Sequence, residues 1–243
     1  MKASPADQLL LLDVVDIDRR LAQAEAVRRN PPQAARVQEL IARRTSLGRE
    51  LADRAGARDD LRAELKRIEG DVEVVSARRA RDAERLNVAT SPKDAQGLEH
   101  EIASLDRRRS DLEDAELEVM EKLEAADAAL AEQQALMDEV TSEGQRLSGE
   151  AKELVAKATS DIDALTRDRG AVAGRIPADL LALYERLAAR GTGTAVFTRG
   201  MCGACNMNLA PSDLAVLRST PADEVALCPE CGGIMVRTAE SGL

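Results

Sequence analysis

The sequence predicts a mainly α-helical chain: a long antiparallel, kinked coiled-coil hairpin followed by a small C-terminal β module. Three observations carry this reading. Between Leu10 and Leu154 apolar residues recur at alternating steps of four and three, the seam of a coiled coil. The 243 residues include no Trp, one Tyr (Tyr184) and one Phe (Phe197), and the 44% apolar content is mostly Ala, Leu and Val. A globular core of that size would bury several aromatics, whereas this composition, with 32% charged residues, suits long helices. Finally, all four cysteines lie near the C-terminal end in two pairs, Cys202-Gly-Ala-Cys205 and Cys228-Pro-Glu-Cys231. The regular spacing of the leucines argues against disorder, the other reading of so polar a chain.

The first helix has Ser4 as its cap and Pro5 at its first position, where a missing N–H costs nothing. Its seam is Leu10, Val14, Ile17, Leu21 and Ala24, and Asn30-Pro31-Pro32 interrupts it. A second helix carries Val37, Leu40, Leu47, Leu51, Leu61, Leu65, Ile68, Val72, Val75 and Leu86 on one face. Arg44, Arg54, Arg58 and Arg79 fall on or near that seam, where their aliphatic stems can cover apolar surface. Residues 87–93 form the tip of the hairpin. There Ser91 caps a third helix that has Pro92 first and Asp94 in its opening turn, where a negative charge suits the helix dipole. This helix holds the most regular repeat, from Leu98 through Leu112, Leu123 and Met137 to Leu154. With a reversal near residue 91, residue i faces roughly residue 182 − i, so the first helix pairs with the tail of the third. Pro31-Pro32 then acts as a kink. A short three-helix base, with the first helix folded back, is the alternative arrangement.

Gly170, Gly174 and Ile176-Pro177 end the third helix, and a short helix follows with Leu180, Leu181, Tyr184 and Leu187 on its apolar face. Gly191-Thr-Gly193 ends that helix in turn. Residues 195–199, 224–227 and 234–236 read as strands around the two cysteine pairs, the order of a zinc ribbon. Two C-x-x-C knuckles 22 residues apart complete a tetrahedral S₄ shell, the closed geometry of a structural zinc site. Cys202, Cys205, Cys228 and Cys231 are therefore the expected ligands of one Zn²⁺. Gly203 and Gly232-Gly233 are expected to supply the positive φ that such turns need. A redox C-x-x-C normally opens a helix in a βαβ setting, which is missing here, and the aromatic core of an iron-binding rubredoxin is missing too. The expected division is 1–176 hairpin, 177–194 connecting helix and linker, and 195–243 ribbon.

The formal charge is −10, which disfavours general polyanion binding. From Ala195 onward three arginines (Arg199, Arg218, Arg237) face five acids, and only Phe197 offers a stacking surface, so attraction to phosphates is weak. The single histidine, His100, has no histidine partner for a metal or nucleophilic site. No phosphate-binding glycine loop is present, and the expectation is that the chain is not an enzyme. No stretch approaches a membrane span and no signal-peptide core is visible. With every cysteine at metal spacing, the expected compartment is the cytoplasm.

The order of hairpin and ribbon resembles a widespread bacterial family of coiled-coil proteins with a C-terminal C4-type zinc ribbon. The resemblance is specific in two stretches. One is Cys202-Gly-Ala-Cys205 with Asn208-Leu-Ala-Pro211 and Cys228-Pro-Glu-Cys231-Gly-Gly-Ile234. The other is the tip, Thr90-Ser-Pro92-Lys93 through Leu98-Glu-His100-Glu101-Ile102, which is similar to the family's N-P-K-E-L…L-x-x-E-I turn. The resemblance implies that the four cysteines bind zinc and that Pro92, Lys93 and Glu101-Ile102 are tip features. In that family one member is a flagellar regulator and chaperone of an alternative sigma factor that also binds messenger RNA, and another is linked to type III secretion. Gly233 and Val236 stand here where the family often carries a basic residue and an aromatic.

The function expected is that of a non-enzymatic adaptor, chaperone or regulator binding partner proteins through coiled coil, tip and ribbon. Pro92, Lys93, His100, Arg199, Arg218 and Arg237 are the candidate contacts. A nucleic-acid-binding regulator acting through the ribbon is the alternative, and a self-assembling structural rod the second. The seam alone does not separate a self-contained hairpin from a homo-oligomer of hairpins.

Overall fold

Pro5, Ser91-Pro92 and Pro177 start helices where the sequence places them. In a computed structural model describing residues 1–243, α1 spans Pro5–Arg29, α2 Ala34–Asn87, α3 Pro92–Ala173 and α4 Ala178–Ala188. Ser4 Oγ accepts from the Asp7 amide at 3.1 Å, and Ser91 Oγ from the Asp94 amide at 3.4 Å. Both satisfy N–H groups that a helix start leaves without partners. The chain forms two units, Ala35–Ser148 and Met1–Ala34 with Gly149–Leu243.

Residues 35–148 are an antiparallel hairpin of α2 and the first part of α3. Gln133 donates to Glu50 at 3.0 Å, and Arg54 to the carbonyl of Ala129 at 3.4 Å. Both lie one residue from the 182 − i register. Nearer the tip Arg79 donates to Asp106 at 2.6 Å, and Arg78 pairs with Glu101. The apolar seam is densest around Ile68, Leu112 and Val119, with Leu61, Leu65, Val72, Val75 and Ala115 against them. Elsewhere it is interrupted. Arg58 and Arg79 are half-buried, as their seam positions suggest, but Arg44 and Arg54 are exposed. Arg54 still reaches across to the Ala129 carbonyl from the edge of the seam, its long stem leaving the guanidinium in water.

The other unit joins α1, the end of α3, α4 and a small sheet. Here α1 packs beside the last turns of α3, the partner the kinked arrangement assigns it: Arg169 Nε donates to Asp18 at 2.6 Å. At Asn30 the helix stops, because Pro31 cannot continue it. Tyr184 of α4 donates to the same Asp18 carboxylate at 2.7 Å, and Arg169 also reaches Glu185 at 3.2 Å. One carboxylate thus ties three helices together.

The sheet has strands β1 (Thr194–Thr198), β2 (Met201–Cys202), β3 (Ala226–Leu227) and β4 (Ile234–Arg237), in the order β2-β1-β4-β3. β1 and β4 run parallel; the outer pairs are antiparallel. Parallel neighbours need a long crossover, and this one contains a helix the sequence reading missed, α5 (Pro211–Ser219). Its signals were present: Pro211 at the first position, Asp213 in the first turn, and Leu214 and Leu217 on one face. The helix also accounts for a knuckle spacing longer than that of a minimal ribbon.

The sheet is a middle layer. Ile234 and Val236 face α1 and α4, joining Leu11, Val14, Ile176, Leu180 and Tyr184. Met235 faces the other way, joining Phe197, Leu209, Leu217 and Ala226. All three β4 side chains are at most 2% exposed. The segment before α1 is tied down as well. Ala3 N–H donates to the Asp223 carbonyl at 2.8 Å and Val225 N–H to that of Met1 at 3.0 Å. Gln8 Nε2 bridges the carbonyls of Ala3 and Ala222. Gly191-Thr-Gly193 is no free swivel either: Ile234 N–H donates to the Gly193 carbonyl.

Burial, and then the hydrogen bond to Asp18, hold the Tyr184 hydroxyl well above the ordinary tyrosine range. A raised acid constant means the neutral phenol is favoured in the fold. Its contribution is therefore complete below about pH 10 and lost as pH rises beyond it. Tyr184 is the only Tyr and there is no Trp, so tyrosinate absorbance reads this one group. The expected titration midpoint lies above that of the unfolded chain and falls in Asp18→Asn; a midpoint near 10 in the intact protein would contradict the clasp.

Candidate metal centre

Each knuckle is built by the same backbone device. In the first, Asn206 N–H donates to the Cys202 carbonyl at 2.8 Å and Cys202 N–H to that of Met207 at 3.0 Å. In the second, Gly232 N–H donates to the Cys228 carbonyl and Cys228 N–H to that of Gly233, both at 2.9 Å. The residue after the second cysteine is left-handed in both, with φ 59° at Asn206 and 73° at Gly232. Asn tolerates this conformation better than other non-glycine residues. The positive φ expected at Gly203 and Gly233 is absent. Gly203 is needed for space instead, since a Cβ there would lie 2.6 Å from the Val196 carbonyl oxygen.

The four sulfurs lie within 4.8 Å of one another. Cys202 and Cys231, and likewise Cys205 and Cys228, stand 3.9 Å apart. Ligands at a Zn–S distance of about 2.3 Å place tetrahedron corners about 3.8 Å apart, so the residues fit the ion. The backbone amides of Ala204 and Cys205 favour the thiolate of Cys202, and those of Glu230 and Cys231 that of Cys228. Burial raises the Cys202 thiol, and burial with the neighbouring sulfurs pushes Cys231 up to about 12. Burial opposes ionisation of Cys228 too, but there the amides and neighbouring thiols outweigh it and the thiol is lowered. Four thiolates this close repel, and a divalent cation at their centre removes that penalty. Zinc therefore completes the site, and the protein supplies all four ligands.

The other sequence-derived residues separate. Arg199 is exposed in the β1–β2 turn with φ 49°, followed by Gly200 at 84°, the two left-handed positions of a tight hairpin turn. Arg218 is exposed near the end of α5. Arg237 does not offer a free cation as the sequence suggested. Its guanidinium donates to the carbonyls of Thr220, Pro221, Ala222 and Glu224, bracing the loop that receives Met1–Ala3. Pro92, Lys93 and His100 are exposed at and just beyond the hairpin tip, in the other unit. Only the cysteines converge.

A helical hairpin and a closed four-thiolate ribbon together define a class, the coiled-coil proteins with a C4-type zinc ribbon. Within it, this chain belongs to the family of the CT398-like coiled coil hairpin domain, whose model matches residues 14–192, while that of the C4-type zinc ribbon domain matches 201–235. It is 32% identical over 249 aligned residues to an uncharacterized protein of Mycobacterium tuberculosis, covering 98% of each chain. A solved structure from Mycobacterium smegmatis is similar at a TM-score of 0.78 and 29% identity, over 98% of this chain and 100% of the other. The CT398 structure from Chlamydia trachomatis matches at a TM-score of 0.60 and 16% identity, over 96% and 98%, a likeness of fold. No helix is long and apolar enough to cross a membrane.

Two outcomes are expected at this centre. Gly203→Ala forces a Cβ against main chain and should weaken zinc roughly tenfold, about 1.4 kcal/mol, in competition with a chromophoric chelator; unchanged affinity would mean β1 yields. Stripping zinc from the intact protein should abolish hydrogen-exchange protection at the knuckles and β1–β4. The amides of 35–148 should keep theirs, and loss of protection throughout would show that zinc holds up both units.

Proposed function

We propose that this chain is a non-enzymatic cytoplasmic adaptor or chaperone that binds partner proteins. The observation that carries the reading is that all four positions around the metal are taken by cysteines. Such a centre leaves no vacancy for water or substrate and serves to shape a surface. Two surfaces then face outward. One is the ribbon, held firmly against α1 and α4 by the shared core. The other is the turn around Pro92-Lys93, with Val88 77% exposed. Partner binding by exposed apolar and rigid turn residues needs no catalytic constellation.

Nucleic-acid binding through the ribbon loses support, because Arg237 commits its donors to backbone carbonyls and has few left for a phosphate. The test is affinity capture of the tagged protein from lysate of its own cells, with and without nuclease. A discrete protein that survives nuclease and is lost with Lys93→Glu or a ribbon-surface variant is the expected result. Recovery that collapses with nuclease would overturn the reading in favour of RNA or DNA, and recovery of the chain alone would favour a self-assembling rod.

A further inference from the structure

The face of the ribbon between α5 and β3 has the makings of a peptide groove. A cavity of about 300 Å³ opens there, floored by Leu209, Leu217, Ala226 and Met235. Its rim includes Val216, 64% exposed, and Leu227, 49% exposed, both large apolar side chains that folding leaves in water. The only charged residues lining it are Asp213 and Glu224. Neither carboxylate is in an ion pair: Lys2, opposite Glu224, pairs with Asp223, and Arg237 donates to backbone carbonyls, that of Glu224 among them.

The edge beside the groove is open in a way the hydrogen bonds define. Cys228 N–H donates to the Gly233 carbonyl, and Ala226 stands opposite Met235. In an antiparallel ladder, alternate residues exchange bonds with the neighbour and those between turn outward. Ala226 and Cys228 therefore face β4, while Val225 and Leu227 present their N–H and C=O to the outer edge. The Val225 N–H is taken by Met1. The Leu227 main chain has no strand beyond it, although the sheet ends there. Exposed edges beside an apolar pocket are the setting in which extended peptides add a strand, with backbone bonds giving affinity and the pocket reading a side chain.

We infer that this groove docks an extended segment of a partner protein bearing one apolar anchor residue flanked by Lys or Arg. The anchor fills the cavity against Leu217 and Met235, the basic neighbours meet Asp213 and Glu224, and the segment's main chain pairs with Leu227. The two carboxylates set the sign of the partner: a basic flank is attracted, and an acidic one is repelled. This inference names a site for the adaptor reading and rests on it.

The test uses the full-length, zinc-loaded protein and fluorescein-labelled nonapeptides in a Gly/Ser background. One carries a central Leu between lysines, one the same Leu between glutamates, and one the lysines without Leu. Fluorescence anisotropy should show saturable binding of the Lys-Leu-Lys peptide, weakened at least about tenfold by Val216→Arg, which puts a like charge on the rim. Asp213→Lys should turn the preference toward the glutamate peptide. Both substituted side chains lie outside the buried core, and zinc content and circular dichroism verify that each variant folds. Equal binding of the two Leu peptides, binding untouched by Val216→Arg, or no binding by any peptide would overturn the groove. The two readings fail separately. A client still captured by Val216→Arg after nuclease removes the groove and leaves the adaptor; peptide binding of the expected pattern with no client captured removes the adaptor and leaves the groove.

Discussion

A strand buried on both faces is the constraint on which the ribbon-bearing unit depends. Ile234, Met235 and Val236 are consecutive, so the pleat sends their side chains in opposite directions, and each must find its own cover. On one side the cover comes from α1 and α4; on the other it comes from α5 and the zinc knuckles. Neither side suffices alone in a chain with one Phe and one Tyr. The metal fixes the far layer where few side chains could, and the helices fix the near one. This is why the ribbon is a layer of a larger body, although metal binding alone is enough to fold many modules of its size.

The hairpin of residues 35–148 follows a different logic. Its seam is mostly Ala, Leu and Val, broken by polar rungs such as Glu50–Gln133 and Arg79–Asp106. An apolar seam alone tolerates sliding by a heptad. A buried amide that must meet one carboxylate does not, because misregister leaves it without a partner. The exposed ion pairs along the flanks add little to stability and serve solubility and orientation.

Much of this was legible in the residues, and what was missed has physical reasons. Periodicity and proline placement gave the helices, their starts and the pairing of α1 with the tail of α3, because these depend on local chemistry and one reflection. The cysteine spacing gave the metal shell for the same reason. Other features were not legible. α5 is short, and its signals lay inside what read as a loop between knuckles. The parallel pairing of β1 with β4, and the strand-like contact of Met1–Ala3 with residues 223–225, join segments far apart in sequence, on which no periodicity reports. Arg237 read as a surface cation because its charge was visible and the four carbonyls it satisfies were not. The knuckle glycines show the same limit, since Gly203 answers to crowding by Val196 and not to its own dihedral.

The contact between Met1–Ala3 and Asp223–Val225 has a consequence for how the protein is made. α1 precedes the hairpin in the chain, while the remaining pieces of its unit follow it. The hairpin can zip from its tip while translation continues, since its contacts are nested around one turn. Meanwhile Leu11 and Val14, both wholly enclosed in the finished fold, have no sheet to rest on. Closing that circuit is a long-range step that waits for the ribbon to be synthesised and for metal, and until then the apolar stripe of α1 stays uncovered.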